Sequence, residues 1–443
     1  MKKLLFIFIL VYQLIYFPNE FLFTDTFLKN QFLMYSALIL LIAFLLKNKQ
    51  NLKDIFTLNK LIYIFIVLLI ISTIFSVDHF LSFYGRENRY EGLVAWFCYL
   101  TLFTFSYMFI KMDKFTDQLY YFVYISFLVS MYGILQHFKL DFFPRYYSRV
   151  NQTRSYGFFD NPNFFGSYLV LVLAISLLVY FISDKKKSPI FLFILNTHFA
   201  ALLYSQTRSA WLGVLVLLVF IGVFILLQNR MYFKKFFIAS ISFVVLFLAV
   251  NFTESSSISN RFTSIVKDAN EAILEENMHA GSSRMYIWKK SFPLVFEYFW
   301  LGSGPDTLGE VFPYNEEEYE QYFHTTNIIV DKAHNEYLHM AITMGVPALF
   351  AYLALIFTIL YKAFRALHVA EGTEFIILLC FIASIIGYLV QAFFNISVIT
   401  VAPYYWIILG ITYRFAEDLL KESQHTKVST RNLIGKSISR NSF

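Results

Sequence analysis

Long apolar runs separated by short polar breaks occupy nearly the whole chain. A helix crosses a bilayer with roughly 17–25 mostly apolar residues. On that basis the pattern predicts twelve spans, near 4–17, 31–46, 58–76, 92–110, 118–138, 163–182, 189–205, 209–227, 233–251, 337–361, 374–394 and 397–415. The first two runs are short and fit tilted or interfacial positions. Helices are required because lipid gives unpaired backbone groups no partner, and the runs are too long for barrel strands. The expectation is an all-α integral membrane protein with about twelve transmembrane helices. The start of the chain, Lys2-Lys3 before an apolar stretch, imitates a secretory signal. Tyr16-Phe17-Pro18-Asn19-Glu20 stands where small cleavage-site residues belong, so the first run is expected to stay as an uncleaved span.

Two polar breaks are long, roughly 139–162 and 252–336. The second divides the chain into residues 1–251 with about nine helices, a large external loop at 252–336, three more helices at 337–415, and a basic cytoplasmic tail at 416–443. Helical patterns appear in the loop near 262–277 and 283–300. In the latter, Tyr286, Ile287, Trp288, Phe292, Val295, Phe296 and Trp300 accompany Arg284, Lys289 and Lys290. That mixture predicts an amphipathic helix at the membrane surface. Leu301-Gly302-Ser303-Gly304-Pro305-Asp306 has the composition of a tight turn. The acidic run Glu316-Glu317-Glu318 with Glu320 reads as a solvated loop, with a divalent-ion site as the sharper alternative.

Composition agrees: 58% of residues are hydrophobic and 15% charged, which no soluble domain of this length matches. Charge then sets orientation. One set of breaks holds Lys47, Lys49, Lys53, Lys111, Lys114, Lys185, Lys186, Lys187, Arg230, Lys234, Lys235, Lys362 and Arg365, and the tail adds more. The positive-inside rule makes these loops and both termini cytoplasmic. The net charge of +6 is thereby explained by topology and anionic lipid, and no nucleic-acid partner is expected. Cys98 and Cys380 fall inside predicted spans and offer neither a disulfide framework nor a metal site.

The opposite breaks collect arginine: Arg86, Arg89, Arg145, Arg149, Arg154, Arg208, Arg261 and Arg284. Arginines that resist the orientation rule suggest an anion, because a planar guanidinium fork engages two phosphate oxygens at once. Each site also has a plain structural reading. Arg86 and Arg89 flank Glu87 and precede Glu91, which fits ion pairing that locks a loop. Arg145, Arg149 and Arg154 share a loop with Tyr146, Tyr147 and Tyr156, a composition that also suits sugar stacking. Asn161 before Pro162 is helix-start chemistry. Arg208 fits a snorkelling side chain as well as a ligand, and Trp211 fits an interface anchor. Lys332-Ala333-His334-Asn335-Glu336-Tyr337 precedes the tenth run. A neutral His334 suits a general base for a hydroxyl, and it suits helix capping or packing equally well. His334 and His339 point about 140° apart on a helix, so they cannot hold one metal ion as an i, i+4 pair does.

Taken together, these motifs resemble the O-antigen ligase and polymerase superfamily of bacterial polyprenyl-diphosphate-glycan transferases. His334-Asn335, a nine-residue spacer and Gly345 resemble the ligase signature, with Ala348 departing from its last position. Tyr156 to Asn163, Thr207 to Gly213, Ser283 to Trp288, Leu301 to Asp306 and Gln391 to Asn395 look like further family blocks. The resemblance implies a C-type glycosyltransferase architecture in the bacterial cytoplasmic membrane, with the active site external or periplasmic. It implies metal-independent, inverting transfer without a cofactor. The donor would be a polyprenyl-diphosphate-linked glycan and the acceptor a glycan, lipid or wall molecule. His334 would be the base; Arg208 and Arg284 would clamp the diphosphate; Arg86, Arg89, Arg154 and Asn335 would contact carrier or glycan. A flippase of lipid-linked sugars is the alternative; it calls for polar groups within the spans, near the bilayer midplane.

Overall fold

The computed structural model describes residues 1–16, 24–47, 60–111, 115–141, 154–254, 258–261, 263–264, 267 and 278–440. Among them every regular element is helical. In chain order these are α1 (Lys2–Tyr12), α2 (Asp25–Lys47), α3 (Lys60–Ile74), α4 (His79–Tyr84), α5 (Leu93–Phe109), α6 (Thr116–His137), α7 (Pro162–Ile182), α8 (Ser188–Ser205), α9 (Arg208–Gln228) and α10 (Phe233–Thr253). The polar segment contains α11 (Ala280–Glu297), α12 (Leu308–Val311) and α13 (Glu316–Phe323); α14 (Glu336–Thr343), α15 (Val346–Leu367), α16 (Gly372–Ala392) and α17 (Ala402–Arg440) follow.

Eight described helices are long and apolar enough to cross a membrane: α2, α6 to α10, α15 and α16. The apolar helices α3 and α5 have 15 and 17 residues, and α1 only 11. The tenth predicted run is two helices, not one. Gly345 breaks it at a φ of +89°, and a Cβ there would lie 2.7 Å from the Trp300 carbonyl oxygen. Pro347 then starts α15, where a missing N–H is harmless.

Centrality follows surface chemistry rather than hydrophobicity, because lipid is as apolar as the side chains. The central helix α7 is buried over 94% of its apolar window and α16 over 83%, whereas α10 is buried over only 17%. Small residues allow close approach. A Cβ on Gly213 of α9 would meet the Gly387 carbonyl of α16 at 2.6 Å. Gly213→Leu is therefore expected to lower stability by about 1–3 kcal/mol, read as a lower unfolding midpoint in detergent.

Asn161 caps α7 by accepting from the Asn163 N–H at 2.8 Å, with Pro162 at the first turn, as the sequence predicts. The far end of α7 carries lysine: Lys235 donates to the carbonyls of Tyr180, Phe181 and Ser183 at 2.7–3.0 Å. The bundle thus has an arginine end and a lysine end. Two local expectations change. Trp211 is buried and donates to the Leu202 carbonyl at 3.0 Å, so it ties α9 to α8 instead of anchoring at a lipid interface. The acidic run is not a loop but α13, whose first turn Asn315 caps by accepting from the Glu318 N–H. Negative side chains favour that helix end. Glu318 is committed to Lys290 at 2.7 Å and the Tyr286 hydroxyl at 2.9 Å. Arg145, Arg149, Tyr146, Tyr147 and most of the stretch near 262–277 lie outside the described residues.

Candidate active site

Five successive residues before α14 are each held differently, and together they fix the position of one imidazole. Asp331 receives both Nε and Nη2 of Arg89, at 2.6 and 3.3 Å. Lys332 is buried. Its ammonium lies 2.8 Å from Glu91 and 2.9 Å from Asp306, with all three side chains at most 5% exposed. Burial opposes its charge, but the two carboxylates hold its pKa above the ordinary lysine value. The Ala333 carbonyl accepts from Trp288 Nε1 at 2.9 Å. Asn335 caps α14 by accepting from the Leu338 N–H at 3.0 Å.

Between these anchors His334 takes a left-handed φ of +50°. Its Nδ1 is enclosed and meets no hydrogen-bond partner among the described residues. Burial, then the charges of Arg284 and Arg89, push the imidazole down to about 3, so it is neutral at physiological pH. An enclosed ring nitrogen without a partner is costly and calls for a physical explanation.

Arg284, on α11, is the cation with the largest effect on the charge of this imidazole. It and Trp288 are four residues apart and share a helix face, so the residue that binds the Ala333 carbonyl also aims Arg284. Arg284 Nη1 donates to the Phe394 carbonyl at 2.6 Å. That carbonyl sits just past α16, where Gln391 and Asn395 join Ser167 of α7 through bonds of 2.8–3.1 Å.

Arg154 stands at the start of α7. Nε donates to the Ser205 carbonyl at 2.9 Å, and Nη2 reaches Asn163 Oδ1 at 3.2 Å and Thr207 Oγ1 at 3.4 Å. All three acceptors are neutral. Burial, then the like charges of Arg261, Arg208 and Arg284, push Arg154 down to about 10. Arg261 donates to the Gln206 carbonyl at 2.8 Å and is also lowered, by burial and Arg208. Arg208 donates to Ser264 at 2.9 Å. Four guanidinium groups from distant parts of the chain therefore share one positive field, and Arg284 is the member that also acts on the neutral imidazole.

The sequence-predicted residues separate into two groups. Arg154, Arg208 and Arg284 share one positive field, and Arg284 also acts on His334. Arg86 and Arg89 are engaged by carboxylates, Arg86 with Glu310 and Arg89 with Asp331. Asn335 spends its side-chain oxygen on the helix cap. Sequence reasoning did not single out Arg261, or the buried Lys332–Glu91–Asp306 group. Acidic residues at the arginine end were the available signal, since buried charges are paired.

Residues 190–353 match the family model described as O-antigen ligase. This segment is therefore similar to the O-antigen ligase superfamily. The match supports membrane glycan transfer of the ligase or polymerase type. The ligase segment runs from α8 into α15 and so contains Arg208, Arg261, Arg284, Lys332 and His334, whereas Arg154 and Glu91 come from outside it. No curated protein matches the chain.

Glu336 opens α14 and is fully enclosed. It accepts from the hydroxyls of Tyr352 and Tyr388, each at 3.3 Å. Burial, then the Glu91 charge, push its carboxyl up to about 8, so it is mostly protonated at neutral pH. Glu336→Gln replaces one neutral group by another of similar shape. It is expected to change the unfolding free energy by less than about 1 kcal/mol, the net contribution of one neutral hydrogen bond.

Proposed function

We propose that this protein is a membrane glycosyltransferase acting on a polyprenyl-diphosphate-linked glycan. It moves the glycan to an acceptor hydroxyl on a glycan, lipid or wall molecule, outside the bacterial cytoplasmic membrane. The observation carrying this reading is the shared field of Arg154, Arg208, Arg261 and Arg284, whose last member also acts on the uncharged His334. Fixed guanidinium donors stabilise charge where it develops, without reorganising during the reaction. His334 takes the proton of the acceptor hydroxyl. The acceptor oxygen bonds to the anomeric carbon as that carbon's bond to phosphate breaks. The polyprenyl diphosphate leaves with the electron pair, and its charge grows against Arg284 and Arg208. Direct displacement of this kind inverts the anomeric carbon.

Arg154 and Arg261 supply the rest of the anion site. Arg86 and Arg89 act through Glu310 and Asp331 to hold the His334 segment, and Asn335 acts through the α14 cap. The architecture is proposed as C-type with about twelve spans, both termini cytoplasmic and the arginine end external. Arginine charges, not a metal ion, are proposed to take up the leaving-group charge.

Purified protein in bilayer discs, given a synthetic polyprenyl-diphosphate oligosaccharide and candidate acceptors, tests the proposal. Arg154→Ala and Arg284→Ala are each expected to lower kcat/KM by about 10- to 100-fold, since a charge-assisted hydrogen bond contributes roughly 1.5–3 kcal/mol. Arg284→Lys restores little, because an ammonium lacks the planar fork. Unchanged donor turnover in both alanine variants would overturn the anion site. Donor trapped on the inner leaflet of cells carrying the variants would favour transport over transfer.

A further inference from the structure

The two ends of α11 are fastened at the same level of the bundle. Near its start, Arg284 donates to the Phe394 carbonyl just past α16, and Trp288 packs edge-on against Phe393. Past its end, the Phe299 carbonyl accepts from the Val346 N–H, the first residue of α15, at 2.8 Å. The Ser303 carbonyl accepts from the Val77 N–H, just beyond α3, at 2.9 Å. The end of α16 and the start of α15 both mark the arginine-side limit of an apolar span. The 18 residues of α11 extend about 27 Å. A rod fixed to that limit at both ends lies along the membrane plane and not across it.

Three faces of this helix have different occupants. Arg284 and Trp288 face the bundle. Ile287 and Leu294 enter a small core with Leu308, Phe312 and Tyr319. The third face carries Phe292 and Phe296, exposed by 58% and 68%, and Trp300 in the turn just past the helix is exposed by 72%. At about 100° per residue, Phe292 and Phe296 lie on the side adjoining the bundle-facing residues. Glu297 and Lys290 lie beyond them, away from the bundle. The aromatic stripe also continues into other apolar surface. The segment just past α11 is bonded to the start of α15, which exposes Phe350, and to Val77, whose neighbours Phe75 and Phe80 are exposed. Aromatic side chains at span ends, with charges on the water side, are the composition of a headgroup-level belt.

We propose that the Phe292–Phe296 face of α11, with Trp300 in the turn just past it, docks into membrane phospholipid at the boundary of headgroups and acyl chains on the arginine side. The helix is then an interfacial anchor that sets the height of Arg284 relative to lipid-borne phosphate. The docking does not depend on the chemistry proposed for the site, and its test does not read activity.

The experiment uses the full chain in phospholipid discs. Phe296→Cys, and separately Trp300→Cys, are labelled with a small environment-sensitive fluorophore; Cys98 and Cys380 are buried. Glu317→Cys on exposed α13 is the water-facing control. Lipids brominated near the top of the acyl chains are expected to quench both α11 labels about twofold or more beyond lipids brominated near the chain ends, given a burial of roughly 5–10 Å. Aqueous iodide is expected to quench the control and spare the α11 labels. Iodide quenching of the α11 labels equal to the control would overturn the proposal. So would protection from both iodide and brominated lipid, which would mean that a protein covers the face.

Discussion

His334→Asn is expected to lower glycan transfer by about 10²–10⁴-fold while the protein still inserts, the range for losing a positioned general base. Asparagine is the informative replacement because His334 adopts a φ of +50°, and asparagine enters the left-handed region more readily than alanine. The variant thus removes the base with little added backbone strain. Carrier-linked donor accumulating beside normal amounts of inserted protein is the cellular readout. Retention of more than about a tenth of the wild-type rate would remove His334 from the proton transfer.

The pH profile tests the same residue independently. Burial and the charges of Arg284 and Arg89 hold the imidazole near 3 in the free protein. A lowered pKa keeps the base form present as pH falls, so the acid limb of kcat/KM is expected below about pH 5, under the ordinary histidine value. Bound diphosphate offsets the Arg284 charge and raises the imidazole pKa. The acid limb of kcat, which reports the complex, should therefore lie at higher pH than that of kcat/KM. Coincident limbs near pH 6.5 would mean a solvated ring that does not feel its guanidinium neighbours.

Lys332→Met is expected to reduce stability by about 3–5 kcal/mol, because it leaves Glu91 and Asp306 buried without their cation. Burial already raises the Asp306 pKa even with Lys332 present. Without the ammonium, Asp306 loses the cation that opposes burial and takes up a proton more readily. The defect should therefore shrink as pH falls from about 7 toward 5 and grow in the opposite direction. Thermal unfolding in detergent across that range measures it. Adding Glu91→Gln and Asp306→Asn to Lys332→Met should recover much of the loss, since a neutral group of similar shape escapes the desolvation of unpaired charge. A single variant as stable as wild type at every pH would show that the three groups are hydrated.

The relation of sequence to structure differs by residue. The helices around 163–182 and 209–227 were legible because their apolar runs are long and their starts carry Asn161-Pro162 and a polar Thr207-Arg208-Ser209 break. The tenth run read as one helix because hydropathy continues through Met344 and Val346. Gly345 breaks it through a contact with Trp300, which lies far away in sequence. The acidic run read as solvated because one helix turn of glutamates has no apolar partner within its own window. Its actual partners, Lys290 and Tyr286, are on another helix. Arg86 and Arg89 had the same appearance in sequence as Arg154 and Arg284. The carboxylate partners of the first two, Glu310 and Asp331, both lie more than two hundred positions away.

By itself, the sequence determined a helical membrane protein, its lysine and arginine ends, and a set of candidate cations around one histidine. These properties rest on local quantities: the length of an apolar run, the side on which charge accumulates, and the residue type at a helix start. Only the packing of distant segments pairs Arg86 with Glu310 and Arg89 with Asp331, and brings Arg154, Arg208, Arg261 and Arg284 into one field. It also decided that His334 is held neutral and that α11 lies flat on the bundle end. Charge pairing and desolvation depend on distance in space, and helix packing sets those distances independently of separation along the chain.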